Sequence, residues 1–361
     1  MVTALISGLA CACSSPALTS DPHSSEGGAG SSGAGSAGSA TVASGAAAGA
    51  NASAGAPASP TNAGASGAPF MPPLASGGAG AGGAAGSNAS GGEPGTPVNM
   101  PPVTSNPVMP GWDLAWSDEF NAADGTAVDA SHWHHDSGGS GWGNQELEYY
   151  TEDASNAEQR AGNLVISAKR DGASSHSCWY GACQYTSARL LTSGKFSTAY
   201  GRVEARIKVP AGKGMWPAFW MLGDNIGDPN IGWPNCGEID IMEIIGSEPG
   251  TLHGSMHGPG YSGGAPLTAS TKLTNVANLS DDFHTYAVEW APDSVKFFID
   301  TTLYETRTPA DIPAGTGWVF NHPFFLILNV AVGGQWPGSP DASTQFPAQM
   351  LVDYVRVFKA E

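Results

Sequence analysis

The stretch GEIDIMEIIG, residues 237–246, places three acidic residues among isoleucines. In a β-strand alternate side chains share a face, so Glu238 and Asp240 point to one side and the isoleucines next to them point to a core. A regular strand would then turn Glu243 toward the core as well. One extra residue, a β-bulge, would return Glu243 to the side of Glu238, and bulges are frequent beside active sites. The spacing therefore predicts a bulged strand with all three acids on one face.

Three interpretations of this acidic face are open. Like charges repel, so grouping them does not stabilise a fold, whereas two carboxyl groups facing one cleft are what hydrolysis of a glycosidic bond requires. A solvated strand face would also carry acids, and three carboxylates could bind calcium or magnesium. The segment lacks the Asp-, Asn- and Gly-rich loop of such metal sites. We favour a catalytic role for Glu238, Asp240 and Glu243.

The chain divides into two parts of different composition. It has 361 residues, with 50 glycines and 27 prolines. Residues 14–110 consist largely of Gly, Ala, Ser, Pro, Thr and Asn, and no Lys or Arg occurs before Arg160. Such a stretch buries too little apolar surface to offset its chain entropy. We predict a long disordered linker over 14–110 and one folded domain over 111–361.

The charge of the chain limits its partners. The formal net charge is −18, from 14 basic and 32 acidic residues. Binding phosphates requires clustered Lys and Arg, so nucleic acid is excluded as a partner. A neutral polymer is compatible with this charge, and a sulfated polymer is less so.

The N-terminal segment 1–13 is a short apolar run that ends in small residues and cysteine. It is too short to span a bilayer, so no transmembrane span is expected. It is similar to the end of a bacterial secretion signal, although the usual positive charges are missing. Cys11 or Cys13 is a candidate site of lipid attachment. We expect an exported protein, either secreted by a bacterium or held at its surface as a lipoprotein.

Two cysteines of the folded domain are candidates for a disulfide. Cys178 and Cys183 lie in CWYGAC and could close a small loop, which an exported location would permit. Cys236 is left over and is expected to be a small buried residue.

The folded domain is predicted to be all-β. GRVEARIKV (201–209) alternates apolar and charged residues, and PFFLILNVAVGG (323–334) is almost continuously apolar, as in a strand covered on both faces. No segment shows sustained apolar spacing at 3.6 residues, and turn-forming residues separate the strands. This pattern predicts an antiparallel β-sandwich, a jelly roll of two sheets with a concave cleft that can hold a polymer.

The segment MWPAFWML (215–222) precedes the acids and carries Trp216 and Trp220. In a strand this spacing of four places both indoles on one face. Aromatic rings stack on the apolar faces of sugars. Both tryptophans are therefore candidate substrate-binding residues. Further aromatic side chains are supplied by Trp142, Tyr149, Tyr150, Trp233 and Trp336.

The acidic motif resembles the catalytic signature of glycoside hydrolase family 16, in the bulged form with two residues between Asp240 and Glu243. Other blocks resemble the laminarinase-like branch of that family, the endo-1,3-β-glucanases, and together they extend from about Trp112 to Phe358. These blocks are GWGNQELEYYT (141–151), YTSARLLT (185–192), GRVEARIKVPAGKGMWPAFWML (201–222), TLHGSMHGPGYSG (251–263), FHTYAVEWAPDSVKFFID (283–300), PFFLILNVAVGGQWPG (323–338) and MLVDYVRVF (350–358).

The resemblance implies a retaining, two-step mechanism that needs no cofactor. Glu238 would be the nucleophile, and Glu243 would be the general acid and then the general base. Asp240 would hydrogen-bond Glu238 and tune the ionisation of both glutamates.

The resemblance also implies substrate-binding residues beyond Trp216 and Trp220. Asn144, Glu146, Arg189 and His257 resemble polar cleft residues that bind sugar hydroxyls. Structural alternatives stay open for two of them. Arg189 could be the partner of an ion pair, and His257 could be a buried histidine with satisfied hydrogen bonds.

Many relatives hold a structural calcium that joins their first and last strands. The corresponding positions are Glu119, the backbone near Gly162, and Asp353. An ordinary exposed aspartate is the alternative for Asp353.

Together these features predict a monomeric enzyme that hydrolyses internal β-1,3 bonds of β-glucans such as laminarin, with mixed 1,3-1,4 glucans as secondary substrates. The alternatives are a β-glucan-binding protein without activity, a transglycosylase, and a galactanase of the same fold.

Overall fold

The computed structural model describes residues 109–361. The predictions made for residues 1–108, which include the lipid-attachment candidates Cys11 and Cys13, lie outside the described residues. Within 109–361, no helix has the length and the apolar character needed to cross a bilayer.

The described residues form 19 strands and three short helical turns. The strands are β1 (Trp112–Asp118), β2 (His134–His135), β3 (Glu148–Tyr150), β4 (Ala157–Arg160), β5 (Asn163–Ala168), β6 (Ser177–Cys178), β7 (Gly181–Ala182), β8 (Tyr185–Ser187), β9 (Arg189–Leu191), β10 (Gly201–Lys208), β11 (Met215–Gly223), β12 (Glu238–Glu243), β13 (Leu252–His257), β14 (Leu267–Thr271), β15 (His284–Ala291), β16 (Ser294–Ile299), β17 (Thr302–Arg307), β18 (Phe324–Val332) and β19 (Ala348–Ala360). The helical turns are the 3-10 turns Ala173–Ser175 and Asp224–Gly227 and the α-helical turn α1 (Gly232–Asn235).

Most strands belong to two antiparallel sheets. The eight-stranded sheet has the order β17-β16-β15-β10-β19-β5-β4, and β1 pairs with the end of β19. The seven-stranded sheet has the order β14-β13-β12-β11-β18-β9-β2. Two small pairs lie apart from them, the parallel pair β3-β8 and the antiparallel pair β6-β7. The predicted all-β, antiparallel sandwich is confirmed.

The core lies between the two sheets and explains the alternation in the sequence. On β10 and just after it, Val203, Ala205, Ile207 and Val209 all belong to the main buried cluster. From the seven-stranded sheet, Phe219, Ile239 and Met256 join the same cluster.

Strand β18 is buried along its whole length. One set of its side chains, which includes Leu326 and Leu328, faces the main core. The other set, Phe325 and Ile327, packs in a second cluster on the opposite side of the sheet. The continuous apolar run therefore has the predicted cause, since both faces of the strand are covered.

A bulge interrupts β12 at Ile241. Asp240 pairs with Trp220 of β11 and Met242 pairs with Phe219, so Ile241 has no partner there. The register against β13 shifts over the same residues. The side chain of Ile241 is fully buried.

The bulge returns Glu243 to the acidic face. Glu243, Asp240 and Glu238 pair with three alternate positions of β11, from Ala218 to Leu222. Alternate positions of a strand share a face, so their partners do as well. The three acids therefore face the same side of the seven-stranded sheet, away from the main core.

Candidate active site

A cleft crosses the face of the seven-stranded sheet that carries the acids. Strands β12, β11 and β18 contribute its floor, and β9 and the segment before β3 contribute a wall. The cleft is lined by Trp142, Asn144, Glu146, Arg189, Trp216, Ala218, Trp220, Glu238, Asp240, Glu243, Asn329 and Ala331. Most of the residues that the sequence suggested for catalysis and substrate binding therefore meet at one place.

Each glutamate of the motif accepts a hydrogen bond from an indole. Trp233 Nε1 donates to Glu238 Oε2 over 3.0 Å, and Trp216 Nε1 donates to Glu243 Oε1 over 3.0 Å. Trp233 reaches the site from α1, just before β12. These bonds orient both carboxyl groups and favour their charged forms.

Asp240 lies beside His257 of β13. His257 Nε2 is 3.1 Å from Asp240 Oδ2 and 3.7 Å from Glu238 Oε1. The imidazole is buried between the two carboxyl groups, and it does not line the cleft itself. A hydrogen bond between Asp240 and Glu238 was expected from the sequence, but the structure gives His257 as the near partner of Asp240.

Burial is the main electrostatic feature of the three acids. Loss of contact with water raises the pKa of Glu238, of Asp240 and of Glu243 to about 8 in each case. Repulsion by Asp240 is the next cause for both glutamates, while His257 and the indole N–H groups oppose the rise of each pKa. Burial and mutual repulsion therefore favour retention of a proton within the cluster near neutral pH, so one carboxyl group can serve as a general acid while another is ionised.

Arg189 lies in the wall opposite the acids. Its guanidinium carbon is 5.0 Å from the centre of the Trp142 ring and 4.8 Å from that of the Trp220 ring. Its Nε is 3.1 Å from Asp136 Oδ2. Arg189 thus has an ion-pair partner and also lines the cleft, and it covers one face of Trp220.

A chain of hydrogen bonds runs beneath the cleft. Trp220 Nε1 donates to Asn329 Oδ1 over 2.8 Å, and Asn329 Nδ2 donates to Tyr150 OH over 3.1 Å. Tyr150 OH donates to Glu146 Oε2 over 3.2 Å, and Asn144 Nδ2 donates to Glu146 Oε1 over 2.9 Å. The chain fixes Glu146 in the wall relative to Trp220 in the floor.

Glu146 has a second buried carboxyl group as its neighbour. Glu148 is inaccessible to solvent, and its Oε2 accepts the N–H of Val332 over 2.7 Å. Its Oε1 is buried without a hydrogen-bond partner. Burial, and then the charge of Glu146, raise the pKa of Glu148 well above its usual range. The raised pKa favours the protonated, neutral form of Glu148 beside the carboxyl group of Glu146.

Several predicted residues lie outside the cleft lining. Trp336 is 41 % exposed and packs edge-on against Trp216, with ring centres 5.4 Å apart, and against His253. Cys178 and Cys183 are joined in a disulfide.

The three calcium candidates lie together on the eight-stranded sheet. Asp353 is on β19, which pairs with the end of β1 at Val355 and with β5 at Val352. Glu119 follows β1, and Gly162 precedes β5. The register therefore brings all three to one stretch of β19, away from the cleft.

The geometry of the acidic motif does not favour a magnesium or calcium site. Among the described residues, Glu238, Asp240 and His257 form the only group of at least three His, Cys, Asp or Glu side chains whose candidate ligand atoms lie within 4.8 Å of one another. One of these three ligands is a nitrogen, whereas calcium and magnesium prefer oxygen.

Two residues of the site, Glu148 and Asn329, were absent from the sequence-based set, and Trp233 and Tyr150 were noted only as part of the supply of aromatic side chains. Asn329 had a usable signal, because it is the only polar residue in the nine-residue run of β18. Glu148 had another, because it follows Glu146 by two residues, and alternate side chains of an extended segment share one side.

Taken together, a bulged strand that aims two oriented carboxyl groups into a cleft of an antiparallel sandwich defines a glycoside hydrolase. The model of the family described as "Glycosyl hydrolases family 16" matches residues 144–356. The chain belongs to this family.

Relatives and solved structures agree with this assignment. The chain is 42% identical over 258 residues to a "Beta-glucanase" of Rhodothermus marinus, which covers 69% of this chain and 86% of that protein. It is 36% identical to "Glucan endo-1,3-beta-glucosidase A1" of Niallia circulans over 71% of this chain and 39% of that protein. The crystal structure of an endo-beta-1,3-glucanase from Pyrococcus furiosus aligns with a TM-score of 0.65 and 48% identity, over 69% of this chain and 95% of that one.

The protonated state of Glu148 makes a prediction about stability. The pKa of Glu148 in the folded protein lies above its unfolded value of about 4.3. The contribution of protonated Glu148 to the free energy of unfolding is therefore fully present below the unfolded pKa, and it is lost as the pH rises through the folded pKa. Glu148→Gln replaces the neutral acid by a neutral amide that does not titrate. The free energy of unfolding of the wild type should therefore fall relative to that of the variant, by about 1.4 kcal/mol per pH unit across this window.

Denaturant unfolding of the full chain between pH 4 and pH 9 measures this difference. Glu158→Gln is the matched control, since Glu158 is a partly exposed glutamate paired with Arg160. A Glu148→Gln variant that is equally destabilised at every pH would contradict the assignment of a proton to Glu148.

Proposed function

We propose that the protein hydrolyses internal β-1,3 bonds of β-glucans with retention of configuration, and mixed 1,3-1,4 glucans as secondary substrates. The observation that carries this proposal is the bulge at Ile241, which brings Glu238 and Glu243 to the same face of one strand and into one cleft. The activities for which the Rhodothermus marinus and Pyrococcus furiosus proteins are named support the substrate class.

In the first step Glu238 attacks the anomeric carbon, and the bond to the leaving sugar breaks. The Trp233 indole holds the attacking carboxylate in one orientation and favours its ionised form. Glu243 gives its proton to the leaving oxygen. Trp216 occupies Glu243 Oε1, so Oε2 is the oxygen that carries this proton.

In the second step Glu243, now a carboxylate, accepts a proton from water. The resulting hydroxide equivalent attacks the anomeric carbon and breaks its bond to Glu238. Both carboxyl groups return to their starting states, and two inversions give net retention.

Asp240 raises the pKa of both glutamates and His257 lowers the pKa of both, but the position of His257 gives the two glutamates different surroundings. His257 lies against Asp240 and Glu238, so it stabilises negative charge on the nucleophile side of the cluster. The charge of Asp240 raises the pKa of Glu243 and keeps the acid protonated. Two carboxyl groups with opposite roles need such different surroundings.

The opposite wall binds the glucan. The guanidinium of Arg189 and the amide of Asn144 offer hydrogen-bond donors to sugar hydroxyls, while the carboxylate of Glu146 offers acceptors. Trp142 and Trp216 present aromatic surface to the same space. A neutral sugar chain suits a cleft with this many acids better than a sulfated chain does.

The assignment of Glu238 and Glu243 is tested by replacing each with glutamine. Each substitution should lower kcat on laminarin by at least about 10³-fold, because it removes the nucleophile or the proton donor while keeping the shape of the side chain. Reducing-end release measures the rate, and circular dichroism checks the fold. Proton NMR of the first wild-type product should show the β-anomer, and an α-anomer would refute retention.

The role of Asp240 is tested by Asp240→Asn. Removing its charge lowers the pKa of Glu243, so the general acid loses its proton at lower pH. The alkaline limb of the kcat/KM profile on laminarin should therefore move down by about 1 pH unit. Asp300→Asn, in the turn between β16 and β17, is the matched control and should leave the limb in place. An alkaline limb that stays fixed or moves up in Asp240→Asn would rule out this role.

A structural calcium at Glu119, Gly162 and Asp353 is a further part of the proposal. Two carboxylates and a backbone carbonyl are the oxygen donors that calcium prefers. Arg356 donates to both oxygens of Glu119 over 2.9 and 2.7 Å, and Arg206 donates to Asp353 over 2.7 Å. A calcium ion would therefore have to compete with these guanidinium groups.

Calcium binding predicts that the melting temperature rises with calcium concentration, since a ligand that binds only the folded state stabilises it. Differential scanning fluorimetry in EDTA, in magnesium and in calcium measures the rise. Asp353→Asn should remove it. A wild-type melting temperature that is the same in EDTA and in calcium would exclude the ion.

We also propose that the protein is monomeric and is exported by a bacterium. The apolar segment 1–13, with Cys11 or Cys13 as a lipid anchor, supports export to the cell surface. The disulfide between Cys178 and Cys183 is consistent with an oxidising environment.

A further inference from the structure

Three large apolar side chains are strongly exposed among residues 109–361. They are Trp179 at 50 %, Leu303 at 48 % and Trp336 at 41 %. Leu303 is on β17 of the eight-stranded sheet, while Trp336 packs against the cleft residue Trp216. Trp179 is the one of the three that lies beside the cleft wall and has no part in the proposed mechanism.

Trp179 lies at the outer side of the cleft wall. Its backbone N–H donates to the carbonyl of Gly139 over 2.9 Å, and its indole Nε1 donates to the carbonyl of Glu146 over 2.8 Å. The side chain of Glu146 lines the cleft. The exposed indole therefore continues the wall that Asn144 and Glu146 form, on the side of the cleft remote from β12.

The residues around the Trp179 indole hold it in one position before any ligand binds. Trp179 is in the hairpin β6-β7, which the disulfide between Cys178 and Cys183 closes. Its ring packs so closely on Gly141 that a Cβ there would lie 2.9 Å from the indole. Tyr180 packs edge-on against the ring, with centres 5.3 Å apart.

We propose that Trp179 is an outer glucose-binding platform, on which a pyranose ring of a β-glucan stacks after the chain leaves the cleft. The proposal rests on the proposed function. The indole N–H is already bonded to protein, so what the residue offers to solvent is an apolar aromatic face. Such faces stack on sugar rings, and a ring held rigidly loses little entropy on binding. Continuity with the cleft wall makes the glucan the occupant, in preference to a protein partner.

Only a chain long enough to reach from the acids to Trp179 gains from this contact. Trp179→Ala should therefore lower kcat/KM on laminarin by about 5- to 10-fold, mainly through KM. The same variant should hydrolyse a β-1,3-linked trisaccharide at the wild-type rate. Trp179→Phe keeps a ring but loses the N–H donor, and it should retain most of the activity on laminarin.

Leu303→Ala is the matched control, since it removes a similarly exposed apolar side chain far from the cleft. It should leave the kinetics on both substrates unchanged, and melting temperatures of all variants check the fold. An equal loss on trisaccharide and laminarin in Trp179→Ala would assign Trp179 to positioning Glu146 and overturn the platform. Wild-type kinetics on laminarin would overturn it too. A wild-type protein that cleaves no β-1,3-glucan would instead refute the proposed function.

Discussion

The site depends on one constraint, the two-residue period of a β-strand, and on one local departure from it. Without the extra residue at Ile241, Glu243 would point into the core and Met242 would take its place on the acidic face. The bulge costs little, because the side chain of Ile241 is buried and only its place in the ladder is lost. The bulge therefore leaves the packing of the sheet regular and still places three acids on one face, which a regular strand could not do.

The acids are costly to the fold, and the surrounding structure offsets part of that cost. Each of the three carboxyl groups is buried, and burial raises its pKa. Indole N–H groups and His257 provide partners that water would otherwise supply. Rigid neighbours also explain why the pair can act in sequence on one sugar, since neither glutamate has to be repositioned between steps.

How much of this could be predicted from the sequence depends on the range of the interactions. The alternation around Glu238 and the spacing of Trp216 and Trp220 are local patterns, and they were sufficient to predict the strands, the bulge and the shared face. The resemblance to the family extended this to Arg189 and Glu146.

Contacts between distant segments could not be predicted in the same way. Arg189 stacks on Trp142, 47 positions earlier in the sequence (189 minus 142), and Trp220 bonds to Asn329 across two strands. The neutral state of Glu148 depends on burial and on the proximity of Glu146, and neither is visible in a list of residues. Sequence patterns thus report which side a residue faces, whereas partners and protonation require coordinates.

The hydrogen-bonded relay from Trp220 through Asn329 and Tyr150 to Glu146 has a consequence for how this protein can change over evolution. Every member of the relay satisfies its neighbour, so a substitution at any of them leaves a buried polar atom unpaired. The four residues of the relay must therefore be conserved together. The side chains of loops such as the disulfide-closed hairpin are not part of this relay. New preferences for glycan length or branching can therefore arise there while the reaction centre stays the same.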